Sequence, residues 1–144
     1  MKKVRMQYKR TAPMLVARFI QEQEIETVEY MAVHALAHGF ATDQHFNFLR
    51  RMMNQLLIAG QTDKSRKYAL EYADKIAKPV LRSIEQRWHK THKLGVAGKE
   101  LETLREFVAF YQAFWKKQTG ALYVFCEEQV NAFYQELEEK RNAS

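Results

Sequence analysis

Residues that make turns are scarce in this chain, and that scarcity constrains the fold more than any other feature. Glycine stands only at Gly39, Gly60, Gly95, Gly98 and Gly120, and proline only at Pro13 and Pro79. A β fold with many hairpins spends such residues at each reversal. A helical bundle needs few reversals, so the expected fold is all-α. With 47% of residues hydrophobic, the chain can build a core and does not have the composition of a disordered one. Its 144 residues suit one domain better than two.

Apolar periodicity predicts where the helices lie. Lys2 to Arg10 alternates Val4, Met6 and Tyr8 with basic residues and reads as an extended N-terminal arm, because one lone strand would have nothing to pair with. Thr11 can cap a helix and Pro13 suits its first turn, so a helix is expected over Ala12–Gln23. Ile25, Val28, Ala32, Ala35 and Leu36 continue the period, with Gly39 as a C-terminal cap. Phe46, Leu49, Met53, Leu56 and Leu57 form the next stripe, closed by Gly60 in the same way. Tyr68, Ala69, Tyr72, Ala73, Ile76, Val80, Ile84 and Trp88 carry another up to His92. Pro79 falls inside it. Its ring removes a donor and collides with the carbonyl four residues back, which predicts a kink or break near Lys78.

Two glycines in five residues mark Leu94–Gly98 as a loop. Beyond it, Leu101, Leu104, Val108, Tyr111 and Trp115 alternate at three and four residues, and Leu122, Cys126, Val130, Phe133 and Leu137 follow. The expectation is a compact bundle of five to six helices, with residues 1–10 as a basic arm and 11–144 as one domain. Nine of the eighteen aromatic residues fall between Phe107 and Tyr134, which predicts that the last two helices form the centre of the core.

Cys126 is the only cysteine, so no internal disulfide can form, and a reducing, cytoplasmic setting is expected. Met14–Ile20 is too short for a signal-peptide core and is interrupted by Arg18. The longest uncharged run, Tyr30 to Thr42, falls short of the roughly 18 apolar residues that a membrane span requires. No membrane partner is expected.

The net charge of +6 is unevenly distributed. Residues 1–20 hold six basic and no acidic side chains, 21–42 four glutamates and no Lys or Arg, 43–99 twelve basic against five acidic, and 100–144 five basic against eight acidic. Such segregation can steer a polyanion or pair with the protein's own acidic parts. Lys67, Lys75, Lys78, Arg82, His89, Lys90 and Lys93 share the outward side of the central helical stretch, and the arm adds Lys2, Lys3, Arg5, Lys9 and Arg10. Cations placed along one face displace counterions from phosphates and bind without reading sequence. The same face is also what a merely solvated helix would show. No helix-turn-helix pattern with a polar recognition helix is present; Thr42 to Ala59 comes nearest but is too apolar to read bases.

Other chemistries lack their parts. His34 and His38 are four apart, with His45 beyond the turn, and His89 and His92 are three apart. A bundle metal site needs paired Glu-x-x-His motifs, which are missing, and His34-Ala-Leu-Ala-His38 lacks the glutamate of a zinc-protease motif. Cys126 has apolar and acidic neighbours in sequence and reads as a core residue. There is no phosphate-binding glycine loop and no nucleophile elbow. The acidic run Glu22, Glu24, Glu26 and Glu29 is not spaced as a calcium loop.

No catalytic residue, metal site or cofactor is therefore expected. The favoured reading is a non-enzymatic accessory or regulatory protein that contacts nucleic acid. The alternative is a protein–protein adaptor or inhibitor, or a homodimer, whose partner face is Phe107, Phe110, Phe114 and Trp115.

Overall fold

The structure is a computed structural model and describes residues 27–143. The expected arm over residues 1–10 and the expected helix Ala12–Gln23 lie outside the described residues. Within them every regular element is helical, as the spacing of apolar residues predicts. In chain order these are α1 (Val28–Ala37), α2 (Asp43–Ala59), a 3-10 turn (Lys64–Arg66), α3 (Lys67–Tyr72), a π-helical turn (Ala73–Ala77), α4 (Lys78–Thr91), α5 (Gly98–Lys116) and α6 (Gly120–Ala143). The stretch from α3 to α4 is unbroken, so the described chain is a bundle of five helical rods.

Local chemistry explains most boundaries. The Thr27 hydroxyl accepts from the Tyr30 N–H at 3.3 Å and caps α1. At the other end Gly39 takes φ +80°, and the Phe40 N–H reaches back to the Ala35 carbonyl at 3.1 Å. This is the left-handed glycine cap that the sequence predicts. At the start of α2 a histidine stands where a glutamate would be usual: the Thr42 N–H donates to His45 Nδ1 at 2.9 Å. The Asp63 carboxylate accepts from the Ser65 N–H at 3.1 Å and opens the 3-10 turn. The Ala97 N–H donates to Glu100 Oε1 at 2.8 Å and starts α5, and the Thr119 hydroxyl accepts from the Leu122 N–H at 3.1 Å at the start of α6.

Gly60 departs from its expected role. It sits at φ −69°, an ordinary right-handed conformation, so it is not a left-handed cap. A Cβ there would lie 2.6 Å from the Leu70 backbone nitrogen and 2.9 Å from its Cα. Glycine is required because α3 crosses the end of α2 at backbone distance.

Pro79 neither ends the rod nor stands in a regular helix. The Lys78 N–H donates to the Ala73 carbonyl, five residues back, and Pro79 lies in the first turn after this wider π turn. In a regular helix the proline ring would meet the Lys75 carbonyl. The extra residue in the turn moves that carbonyl away, so the rod continues.

The core runs through all the helices and has α2 at its centre. This helix packs against α1, α3, the π turn and α6, while α5 packs against α1, the π turn and α4. Phe46, Leu49, Met52 and Leu56 of α2 are fully buried. Met53, expected in that stripe, is only half-buried, and Met52 takes its place. Ala69, Ala73 and Ala77 are fully buried at four-residue intervals, and their small side chains let the rod lie close against α2 and α5. Tyr68 and Ile76, expected in the core, are exposed.

The expectation for the last two helices holds for only one of them. Leu104, Phe107, Val108, Tyr111 and Phe114 of α5 are buried, whereas α6 buries only Cys126 and Val130 along 24 residues. Phe133 and Leu137, which extend the same stripe of α6, are exposed.

Candidate functional site

The rod from α3 to α4 turns its alanines, Val80, Leu81 and Ile84 inward, so helical geometry leaves its opposite side to solvent. Lys67, Lys75, Arg82, His89 and Lys90 are exposed on it, Lys93 is exposed just past its end, and Lys78 is half-buried. His92 ends α4 in the left-handed region, at φ 61°, and a surface depression is lined by Trp88, His89 and His92. The side chains of the basic face thus reach one end of the rod beside an indole whose far side packs edge-on against Phe46 at 5.6 Å.

Two of these cations have acidic neighbours. Lys78 pairs with Asp74 at 3.1 Å, and His89 lies 3.9 Å from Glu85, whose carboxylate also accepts from Arg50 at 3.1 Å. Lys67, Lys75, Arg82, Lys90 and Lys93 form no ion pair with a described residue. The cations that bind the body together are mostly other arginines. Arg87 pairs with Glu100 and donates to the Gly95 carbonyl, tying the loop after α4 to α5. Arg66 donates to Gln118 at 2.9 Å. Lys2, Lys3, Arg5, Lys9 and Arg10 lie outside the described residues.

The aromatic residues expected to face a partner are placed differently. Phe107 and Phe114 are buried in the chain's own core and are not open to a partner. Phe110 and Trp115 are half-buried: Phe110 stacks on Tyr72 at 3.8 Å, and Trp115 meets Phe114 edge-on at 5.0 Å. The reason is that the rod's alanines bring α3 close enough for Tyr72 to cover this side of α5. Burial and the nearby Glu106 carboxylate push the Tyr72 hydroxyl up to about 12. Apolar side chains reach solvent at Val28, Met31 and Phe40 in and just after α1, at Tyr68 and Ile76 on the rod, and at Tyr123, Val124, Phe125, Phe133 and Leu137 on α6. For those on α6, position in sequence gave no warning, because exposure depends on where α6 extends relative to α2.

A polar cluster that sequence reasoning missed joins α2, α5 and α6. Gln55 is buried; it accepts from the Tyr111 hydroxyl and donates to Glu127 Oε1 at 2.8 Å. Arg51 donates to the same oxygen at 3.1 Å and to Asn131, and its guanidinium lies over the Tyr134 ring at 5.4 Å. Asn54 donates to the Tyr134 hydroxyl at 3.0 Å. Burial, followed by neighbouring Tyr123 and then by the charges of Glu29 and Glu127, holds the Tyr111 hydroxyl well above its ordinary value. Its phenol stays protonated and acts as a donor. The signal lay in Arg51, Asn54 and Gln55, polar residues adjacent to the apolar stripe of α2, but a sequence cannot show which helix meets them.

Cys126 is fully buried, and burial pushes its thiol up to about 11 against the opposing pull of Arg66. The thiol form dominates at neutral pH, as its sequence neighbours predict. The His34 and His38 rings lie 4.2 Å apart, and no group of three or more metal-ligating side chains gathers among the described residues. Among those residues, no helix is long and apolar enough to cross a membrane.

No protein-family model, no curated protein and no solved structure matches the chain.

Proposed function

We propose that this chain is a small, non-enzymatic, cytoplasmic accessory or regulatory protein that contacts nucleic acid through the outward face of α3–α4. One observation carries the reading. Lys67, Lys75, Arg82 and Lys90 are exposed along the outward side of the rod and Lys93 just past its end, and none of them has an ion-pair partner among the described residues. Cations spread along one side of a helix can meet the charges of a phosphate backbone, and each contact releases a counterion. The basic residues 1–20 would add to this attraction by bringing further positive charge to the same polyanion. A rod of lysines offers charge without base-reading groups, so affinity is expected to depend on salt far more than on sequence.

The test is binding of a labelled duplex and a labelled single strand, followed by fluorescence anisotropy from low to high salt. Binding that weakens linearly on a log–log plot supports the reading. Failure to bind either strand at low salt ends it.

A second reading is favoured by the exposed apolar residues of α6. Val124, Phe125, Phe133 and Leu137 would serve an adaptor or a homodimer better than the buried aromatic residues of α5. Sedimentation at increasing protein concentration and high salt distinguishes it, since apolar association survives salt that abolishes phosphate contacts.

A further inference from the structure

We infer that α6 is a latch, a helix that lifts off α2 and α5 as a unit while the rest of the bundle stays folded. The observation behind it is a mismatch between the length of this helix and its anchorage. It has 24 residues, yet only Cys126 and Val130 are buried. By contrast, α5 buries five large apolar side chains in 19 residues. Beyond Cys126 and Val130, Leu122 packs half-buried on the core and Tyr123 meets Trp115 edge-on, and among the described residues hydrogen bonds to α2 supply much of the remaining attachment of α6. Arg51 holds Glu127 and Asn131, Asn54 holds Tyr134, and Gln55 holds Glu127.

Polar contacts of this kind can be exchanged for water at little net cost, whereas buried apolar surface cannot. Each α6 partner in these bonds regains hydration on release: Glu127 and Tyr134 are only half-buried, and Asn131 is exposed. The segment before α6 is suited to act as a hinge. Only Lys117, Gln118 and Thr119 separate it from α5, and Gly120 begins it with open space around its Cα. Lifting α6 uncovers Gln55 and Tyr111, the two buried polar side chains that line the seam, and frees the Cys126 thiol. The latch is thus a low-stability unit carried on a stable body.

Because Cys126 is the only cysteine and lies in this seam, it reports opening directly. The experiment measures modification of Cys126 by a disulfide reagent in the full chain, across sub-denaturing urea. Under the latch, Cys126 reacts in the native protein at least about tenfold faster than global unfolding allows, with a urea dependence well below the global one. Arg51→Ala and Tyr134→Phe should each speed labelling about three- to tenfold while leaving the global urea midpoint near that of the parent protein. A second measurement uses Trp88→Phe, which leaves Trp115 as the one tryptophan, 5.1 Å from Tyr123 of α6. Its emission should change at lower urea than the helical circular dichroism. The inference is overturned if labelling follows global unfolding in both rate and urea dependence. It is equally overturned if the two variants lower the global midpoint in step with faster labelling.

Discussion

Gly60 shows how one atom can set the contact between two helices. Its Cα faces the Leu70 backbone so closely that any β-carbon must displace α3. Gly60→Ala is expected to lower stability by about 2–3 kcal/mol, the cost of overpacking a site whose neighbour is backbone, as read from urea unfolding. An alanine at Gly39 would suffer for a different reason, its positive φ, with open space around it.

Glu100 works through charge. Burial acts to raise its carboxyl, but the Ala97 N–H, the Ser83 hydroxyl and Arg87 outweigh that, and it ends below its ordinary value of 4.5. For a carboxylate lowered by folding, the stabilisation is complete above the unfolded value and is lost as pH falls through the folded one. Glu100→Gln should therefore cost about 1–2 kcal/mol at pH 7 and almost nothing at strongly acidic pH, so that the urea midpoints of the two proteins converge as pH falls below 4.5 and through the lowered folded value.

The helical elements differ in what holds them. Full burial of a large apolar side chain contributes roughly 1.5–3 kcal/mol, so α5 is fixed by its apolar face, and α6, with two buried side chains, depends on its hydrogen bonds. Phe107→Ala is expected to cost about 3–5 kcal/mol, read from the urea midpoint, because this ring is fully buried. The π turn is held by packing. Its Ala73 and Ala77 are fully buried against α2 and α5, which keeps the extra residue in place regardless of Pro79. Pro79→Ala should change stability by no more than about 1 kcal/mol, where removal of a proline from a regular helix interior would gain about 3. A gain near the larger figure would show that the proline is strained in this turn. Most of these rods are legible in the sequence, since three- and four-residue apolar spacing and the cap at Gly39 mark them. The exchange of Met53 for Met52 and the wider turn before Pro79 were not legible, because both depend on the neighbour each helix meets.

For the molecule as a whole, charge and stability separate. The ion pairs of the outward cations of α3–α4 stay within the rod, while Arg51 and Arg87 join helices. The triple variant Lys75→Gln, Arg82→Gln, Lys90→Gln should fold with a urea midpoint close to the parent's, since exposed charges contribute little. On the proposed function it should also reduce the log–log salt slope of nucleic-acid binding by about 0.9 for each phosphate no longer neutralised. An unchanged slope with unchanged affinity would place any binding elsewhere on the molecule.

What the chain's order of residues dictated was its helical character, most of its caps and the presence of a cationic side on the rod, because those are local: they depend on residues within a few positions of one another. Which apolar residues became core was settled by packing between distant segments. Alanines at 69, 73 and 77 drew the rod inward and buried Phe107 and Phe114, while α6 ran on with Phe133 and Leu137 uncovered. The same long-range assembly joined Gln55, Tyr111 and Glu127 from three helices. Period and propensity specify the face each helix turns inward, but the partner against which that face closes is chosen by shape and volume across the whole bundle.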